Sequence, residues 1–101
     1  MIRFQRSGRA KNGRWIEAIQ FAKESAGYLN KKYSPLSCQV YATAGFGDIH
    51  AIYWYVDYED LASIDKINAQ IMSDQGYWAI NNKLMECFID GSFHDMLMRS
   101  V

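Results

Sequence analysis

The sequence predicts an α+β domain in which helices cover one face of a four-stranded antiparallel sheet. Segments that alternate apolar and polar residues and segments with a helical period follow one another as strand, helix, strand, strand, helix, strand. Half of the 101 residues are hydrophobic and 15% are aromatic, which is typical of a folded core. Length and composition together predict one domain spanning residues 1–101.

The charge balance argues against two classes of partner. Eleven basic and eleven acidic side chains cancel, so no net field attracts nucleic acid or an anionic membrane. No window approaches the roughly 20 apolar residues of a membrane helix, and the first residues lack the apolar run of a secretory signal. We therefore expect a soluble, cytoplasmic protein without nucleic-acid or membrane partners.

Cys38 and Cys87 are the only cysteines, and each lies within an apolar segment. Two such thiols favour buried, reduced side chains over a disulfide. Structural zinc usually takes four ligands, so a metal site is less favoured still. We expect neither a metal nor another cofactor.

The first half of the chain predicts a strand, a helix and a second strand. Residues 1–9 alternate, with Ile2 and Phe4 on the apolar side. Asn12 is a candidate N-cap for a helix that ends at residues 32–34, because Pro35 disfavours helical geometry before it. The apolar stripe of this helix consists of Trp15, Ile19, Ala22, Ala26 and Leu29. Residues 36–46 then predict the second strand.

A hairpin with its turn at residues 45–48 connects the second strand to a third at residues 48–57. Both faces of the third strand are largely apolar, with His50, Ile52, Trp54 and Val56 on one and Ala51, Tyr53 and Tyr55 on the other. Each face should therefore be covered by a packed layer.

The second half predicts a helix that is broken once and a last strand. Asp57, with Asp60 three residues later, is the candidate cap of a helix at residues 58–73. Its predicted buried stripe is Ile64, Ile67 and Ile71. Asp74 can restart the helix after the break, with Tyr77, Ile80, Leu84 and Phe88 as the second stripe. Gly91 ends it, and residues 92–101 predict the final strand.

This element order is the ferredoxin-like pattern. Its helices cover one sheet face, and a second copy related by a two-fold axis is the simplest cover for the other. Exposed apolar sheet surface is thus the reason to expect a homodimer.

Three stretches resemble one superfamily. They are the aromatic strand running into an acid-capped helix at residues 52–61 (IYWYVDYEDL), the break at residues 73–78 (SDQGYW) and the turn at residues 91–95 (GSFHD). They are similar to those of the dimeric α+β-barrel superfamily, especially NIPSNAP-like and antibiotic-biosynthesis-monooxygenase-like domains. The resemblance implies two sheets closed face to face across a dimer, with a small-molecule pocket between each sheet and its helices. Such proteins include cofactor-independent monooxygenases, haem-handling enzymes and small isomerases or dehalogenases.

His50 and His94 are the only histidines and the candidate catalytic residues. Imidazole titrates near neutrality and can act as a general base. The competing interpretation is a hydrogen-bonded histidine in the interior or the dimer interface. Haem-degrading relatives carry an Asn, Trp and His set, and the three are not all matched by position here, which argues against haem.

Polar-tipped aromatic residues are the candidate ligand-binding residues: Tyr41, Tyr53, Trp54, Tyr77 and Trp78. Such side chains orient a planar ligand through their hydroxyl and indole groups, although they also serve as plain core. The aspartates at predicted element ends, Asp57, Asp60 and Asp95 among them, are interpreted as capping residues.

Three functions stay open. The first is a cofactor-free enzyme, monooxygenase-like or isomerase-like, acting on a small aromatic molecule, with a histidine at the wall of an enclosed pocket. The second is a small-molecule-binding homodimer with a pocket but no catalytic group. The third is a structural or interaction domain with a filled interior.

Overall fold

Seven elements follow one another in the predicted order. The computed structural model describes residues 1–45, 47 and 49–101. The strands are β1 (Ile2–Arg9), β2 (Cys38–Ala42), β3 (Ala51–Tyr58) and β4 (His94–Arg99), and the helices are α1 (Trp15–Lys32), α2 (Leu61–Met72) and α3 (Gln75–Met85). The four strands form one antiparallel sheet in the order β2-β3-β1-β4. The predicted α+β, ferredoxin-like class with its broken second helix is confirmed.

The strand register assigns each side chain to a face of the sheet. Phe4 lies opposite Val56 and Leu97, and Arg6 lies opposite Trp54 and Asp95. Directly opposed residues of antiparallel strands share a face, so these side chains all point toward the helices. The opposite face, which we call the open face, carries Gln5, Ser7, Tyr41, Tyr53, Tyr55, His94, Met96 and Met98.

The core forms where α1 packs on β2 and β3. Ala22, Ala26 and Leu29 are buried as the stripe predicted, and Ala18 and Ser25 complete the same face. Small side chains let the helix approach the sheet closely, so that it covers the buried residues Ile52, Trp54 and Val56. Leu84, Cys87 and Phe88 join this core from α3 and the segment after it.

Two predicted helix caps are wrong. The N-cap of α1 is Arg14, which makes no side-chain capping hydrogen bond, so Asn12 does not cap the helix. The cap of α2 is Asp60, whose carboxylate accepts from the Ser63 amide at 2.8 Å. Asp57 is unavailable because β3 extends to Tyr58 and pairs the Asp57 carboxylate with Arg3.

The strands β2 and β3 are shorter than predicted. His50 has a φ of 55°, a left-handed conformation that cannot continue a strand, so β3 begins at Ala51. The predicted turn includes Phe46 and Asp48, which lie outside the described residues. The last strand is also confined to His94–Arg99.

Both cysteines are free and buried, as predicted. Burial raises the pKa of the Cys38 thiol to about 11. Among the described residues, no helix combines the length and the hydropathy required to cross a bilayer.

Gly8 and Gly27 offer a matched test of the packing. A Cβ at Gly8 would lie 2.8 Å from a ring carbon of Phe93 and 3.0 Å from one of Phe88, whereas a Cβ at Gly27 meets nothing within 4 Å. Gly8→Ala should lower the free energy of unfolding by about 1–3 kcal/mol. Gly27→Ala should raise it by about 0.5–1 kcal/mol, because alanine favours the helix. Urea denaturation measures both, and equal effects of the two substitutions would contradict the packing of β1.

Candidate functional site

The helices leave part of their own side of the sheet uncovered. Their main contacts with the sheet are to β2 and β3, and α3 packs chiefly on α1. On the same face, Leu97 of β4 is 51% exposed. A gap therefore opens between the helices and the half of the sheet formed by β1 and β4.

This gap holds a cavity of about 330 Å³. Its walls come from both layers, and we define the helix-face cleft by six of its residues: Phe4, Arg6, Ile71, Tyr77, Trp78 and Asp95. Two adjoining cavities, of about 70 Å³ beside Trp54 and about 370 Å³ between α3 and β4, share Arg6 as a lining residue. Arg6 thus lies at the junction of the three spaces.

Arg6 and Asp95 form a two-pronged ion pair on the floor of the cleft. The Arg6 Nε donates to Asp95 Oδ1 at 2.7 Å, and its Nη2 donates to Oδ2 at 2.9 Å. The hydrogen bond from Arg6 holds the pKa of the Asp95 carboxyl below its usual value, and Asp95 raises the pKa of Arg6. The pair therefore stays fully charged, and half exposed, at neutral pH.

Two aromatic residues of α3 form the opposite wall. The Tyr77 and Trp78 rings meet edge to face, with centroids 5.3 Å apart. The Trp78 Nε1 donates to the carbonyl oxygens of Ile71 and Met72 at 3.0 and 3.3 Å, which ties the indole to the last turn of α2. Burial raises the pKa of the Tyr77 hydroxyl, which disfavours its ionised form still more than in a free tyrosine.

Asp74 fixes the position of this wall. Its buried carboxylate caps α3 through the Tyr77 amide at 3.2 Å, as the helix restart predicted. It also accepts from the hydroxyls of Tyr28 at 2.7 Å and Tyr33 at 2.6 Å, and it pairs with Lys32 at 2.9 Å. Hydrogen bonds, that from Tyr33 foremost, hold the pKa of the Asp74 carboxyl far below its usual range. Asp74 thereby connects the start of α3 to α1 and to Tyr33, the residue that follows α1.

The helix α2 covers the cleft without entering the core. None of its residues is buried, and the predicted stripe of Ile64, Ile67 and Ile71 is only half-buried. Ile64 and Ile71 line the cavity, and Ile71 also packs against the edge of the core.

The predicted ligand-binding residues lie on both faces of the sheet. Tyr77 and Trp78 line the helix-face cleft, and the buried Trp54 borders the small cavity beside it. Tyr41 and Tyr53 lie on the open face with Tyr55, whose ring stacks on Tyr53 and meets Tyr41 edge to face. The structure thus brings three of the five together.

Neither histidine lines the helix-face cleft. His50 stacks on Trp15, with ring centroids 4.9 Å apart, at the turn before β3. His94 is exposed and lines a separate cavity of about 360 Å³ together with Ser7, Tyr53 and Ser92. The two candidate bases are therefore apart from the aromatic wall.

Sequence reasoning missed Arg6 and Asp95. Arg6 shares the strand face of Ile2 and Phe4, so a charge on an apolar face was the available signal. Asp95 was interpreted as a capping residue, since nothing in the sequence shows that it lies opposite Arg6. Within residues 1–45, 47 and 49–101, no group of three or more His, Cys, Asp or Glu side chains is placed to hold a metal ion.

The fold and the cleft define a class: a ferredoxin-like α+β domain with a small-molecule-sized space between sheet and helices. Similar solved structures include an uncharacterised NIPSNAP domain protein from Burkholderia xenovorans, with a TM-score of 0.79, 14% identity, and coverage of 100% of this chain and 95% of that one. A NIPSNAP family protein from Agrobacterium tumefaciens is similar with a TM-score of 0.81 and 16% identity, over 99% of this chain and 92% of that one. A cofactor-independent oxygenase from Streptomyces nogalater is similar with a TM-score of 0.70 and 8% identity, over 98% of this chain and 91% of that one.

The chain therefore has the fold of NIPSNAP domains and antibiotic biosynthesis monooxygenases, as the resemblance indicated. No protein-family model matches the sequence, and no curated protein matches it. At these identities the likeness concerns the fold.

Asp74→Asn tests the anchor of α3. The depressed pKa means that the carboxylate stabilises the fold above its unfolded pKa of about 3.9, and that this contribution is lost as pH falls toward the lower folded value. At pH 7 the variant should melt about 5 °C or more below the wild type, with the gap narrowing below about pH 4. Thermal melts followed by circular dichroism measure this difference.

The exposed Asp65→Asn, on α2, is the control and should leave the melting temperature unchanged across the series. A constant gap between Asp74→Asn and the wild type from pH 7 to pH 2 would contradict a carboxylate-based anchor.

Proposed function

We propose that the protein binds a small aromatic molecule in the helix-face cleft. The observation that carries this proposal is the cavity of about 330 Å³ lined by Phe4, Tyr77 and Trp78, with one ion pair at its floor. Small-molecule sites typically have volumes of about 300–1,000 Å³, mostly apolar walls and a few convergent polar groups. The cleft meets each of these conditions.

The side chains of the cleft favour binding over histidine-based catalysis. Both histidines lie elsewhere, and burial raises the pKa of Tyr77 further above its ordinary value, which opposes a role as a base. The Streptomyces nogalater neighbour is a cofactor-independent oxygenase, but one fold hosts many activities. We therefore propose a binding protein that uses no cofactor and no histidine base.

We further propose that a second copy of the chain covers the open face. Met96 is 53% exposed and Tyr41 is 56% exposed there, beside the half-buried Tyr53 and Tyr55. A two-fold axis would place these patches against each other, because the same patch of both subunits forms a two-fold interface. Free thiols at Cys38 and Cys87 favour a cytoplasmic location for this homodimer.

Filling the cleft tests the binding site. Asn68, on α2, lines the cavity, whereas the nearby Gln70 does not. Asn68→Trp should therefore weaken binding of 2-naphthol at least about tenfold, and Gln70→Trp should leave it unchanged. Isothermal titration calorimetry with the wild type should show one site per chain. Absence of saturable binding, or equal affinities of the two variants, would refute the proposed site.

A charge on the open face tests the dimer. The wild type should sediment as a dimer at micromolar concentration. Met96→Glu should shift it to monomer, because the two new charges would face each other across the axis. Ile16→Glu, on the exposed side of α1, should remain dimeric. A monomeric wild type would rule out the second copy.

A further inference from the structure

We infer that the ligand of the helix-face cleft is an uncharged aromatic molecule with a hydroxyl or carbonyl oxygen, and that Asp95 sets this preference by neutralising Arg6. The inference rests on the proposed binding function. It adds the chemical class of the ligand and the residue that selects it.

The geometry of the pair leaves hydrogen-bonding capacity free. Asp95 occupies the Nε and Nη2 positions of Arg6, at 2.7 and 2.9 Å. A guanidinium carries further N–H donors beyond these two, and a carboxylate has further lone pairs. A ligand oxygen can therefore accept from Arg6, and a ligand hydroxyl can donate to Asp95, while the ion pair stays intact.

The charge of the pair opposes an anionic ligand. Arg6 is the only basic side chain among the residues that line the three adjoining cavities in the described part of the chain. A ligand carboxylate would have to compete with Asp95 for this one guanidinium. Whichever carboxylate lost would remain partly desolvated without a counter-charge, which is unfavourable.

The apolar surroundings specify the rest of the ligand. The Arg6 guanidinium lies over the Phe4 ring, 5.5 Å from its centroid, and both side chains line the cavity, so a planar group that reaches the ion pair also comes close to this ring. Tyr77 and Trp78 enclose the same space from α3. A fused aromatic ring bearing one polar oxygen matches this distribution of apolar wall and polar floor.

The chain contains its own control for the ion pair. Arg3 and Asp57 form the same two-pronged geometry, at 2.8 and 3.0 Å. Arg3 precedes Arg6 by three residues on β1, Asp57 lies opposite it on β3, and both side chains are on the open face. A substitution there changes the net charge of the protein as Asp95→Asn does, but away from the cleft.

Affinities for 2-naphthol and 2-naphthoate, measured by calorimetry at pH 7, test the inference. The two probes share the ring system, and only the naphthoate is charged. The wild type should prefer 2-naphthol by at least about tenfold. Asp95→Asn frees the Arg6 charge and should lower this preference at least about tenfold, mainly by tightening naphthoate binding. Asp57→Asn should leave the preference unchanged.

Equal affinities of the wild type for both probes would overturn the inference, and this result needs no variant. The inference would also be overturned if a folded Asp95→Asn variant kept the wild-type preference for 2-naphthol, or if Asp57→Asn reduced this preference as much as Asp95→Asn does. In each of these cases the binding of 2-naphthol would still uphold the proposed function. If neither probe binds the wild type, the proposed function fails together with the inference.

Discussion

The buried carboxylate of Asp74 determines where the helices lie. A buried charge is unfavourable unless its hydrogen-bonding capacity is satisfied, and Asp74 gains two tyrosine hydroxyls, a backbone amide and Lys32. These partners belong to α1, the residue after it and the start of α3. Once they are engaged, α3 lies on α1, and β4 and part of β1 stay uncovered.

The cleft follows from this placement. The helix α2 must span from its cap at Asp60 to the Trp78 indole that binds its last carbonyls, and it crosses the sheet without burying a residue. The space beneath it is closed on one side by aromatic rings and on the other by the Arg6–Asp95 pair. One network of hydrogen bonds thus positions both an apolar wall and its polar counterpart.

Local patterns predicted the elements of this fold, and long-range pairing was out of their reach. The helical stripe of α1, the break at Asp74 and the alternation of β1 depend on near neighbours, so their residue types were sufficient. The Arg6–Asp95 contact joins residues 89 positions apart, and it depends on a strand register that one sequence does not specify. Because the register was unknown, sequence reasoning also grouped Tyr41 and Tyr53 with Trp78, although the two tyrosines and Trp78 lie on opposite sides of the sheet. Asp57 was taken as a cap because the end of β3 was placed one residue too early.

The three tryptophans provide the most direct measurement of the central claim that ligands enter between sheet and helices. Trp78 lines the cleft, Trp54 borders the small cavity beside it, and Trp15 stacks on His50 outside it. Their indole N–H signals can be followed in a two-dimensional NMR titration with 2-naphthol and assigned through single Trp→Phe variants. The account predicts that the Trp78 signal moves most while the Trp15 signal stays fixed. Stationary indole signals, with shifts confined to Ser7, Tyr53 and His94 on the open face, would contradict it.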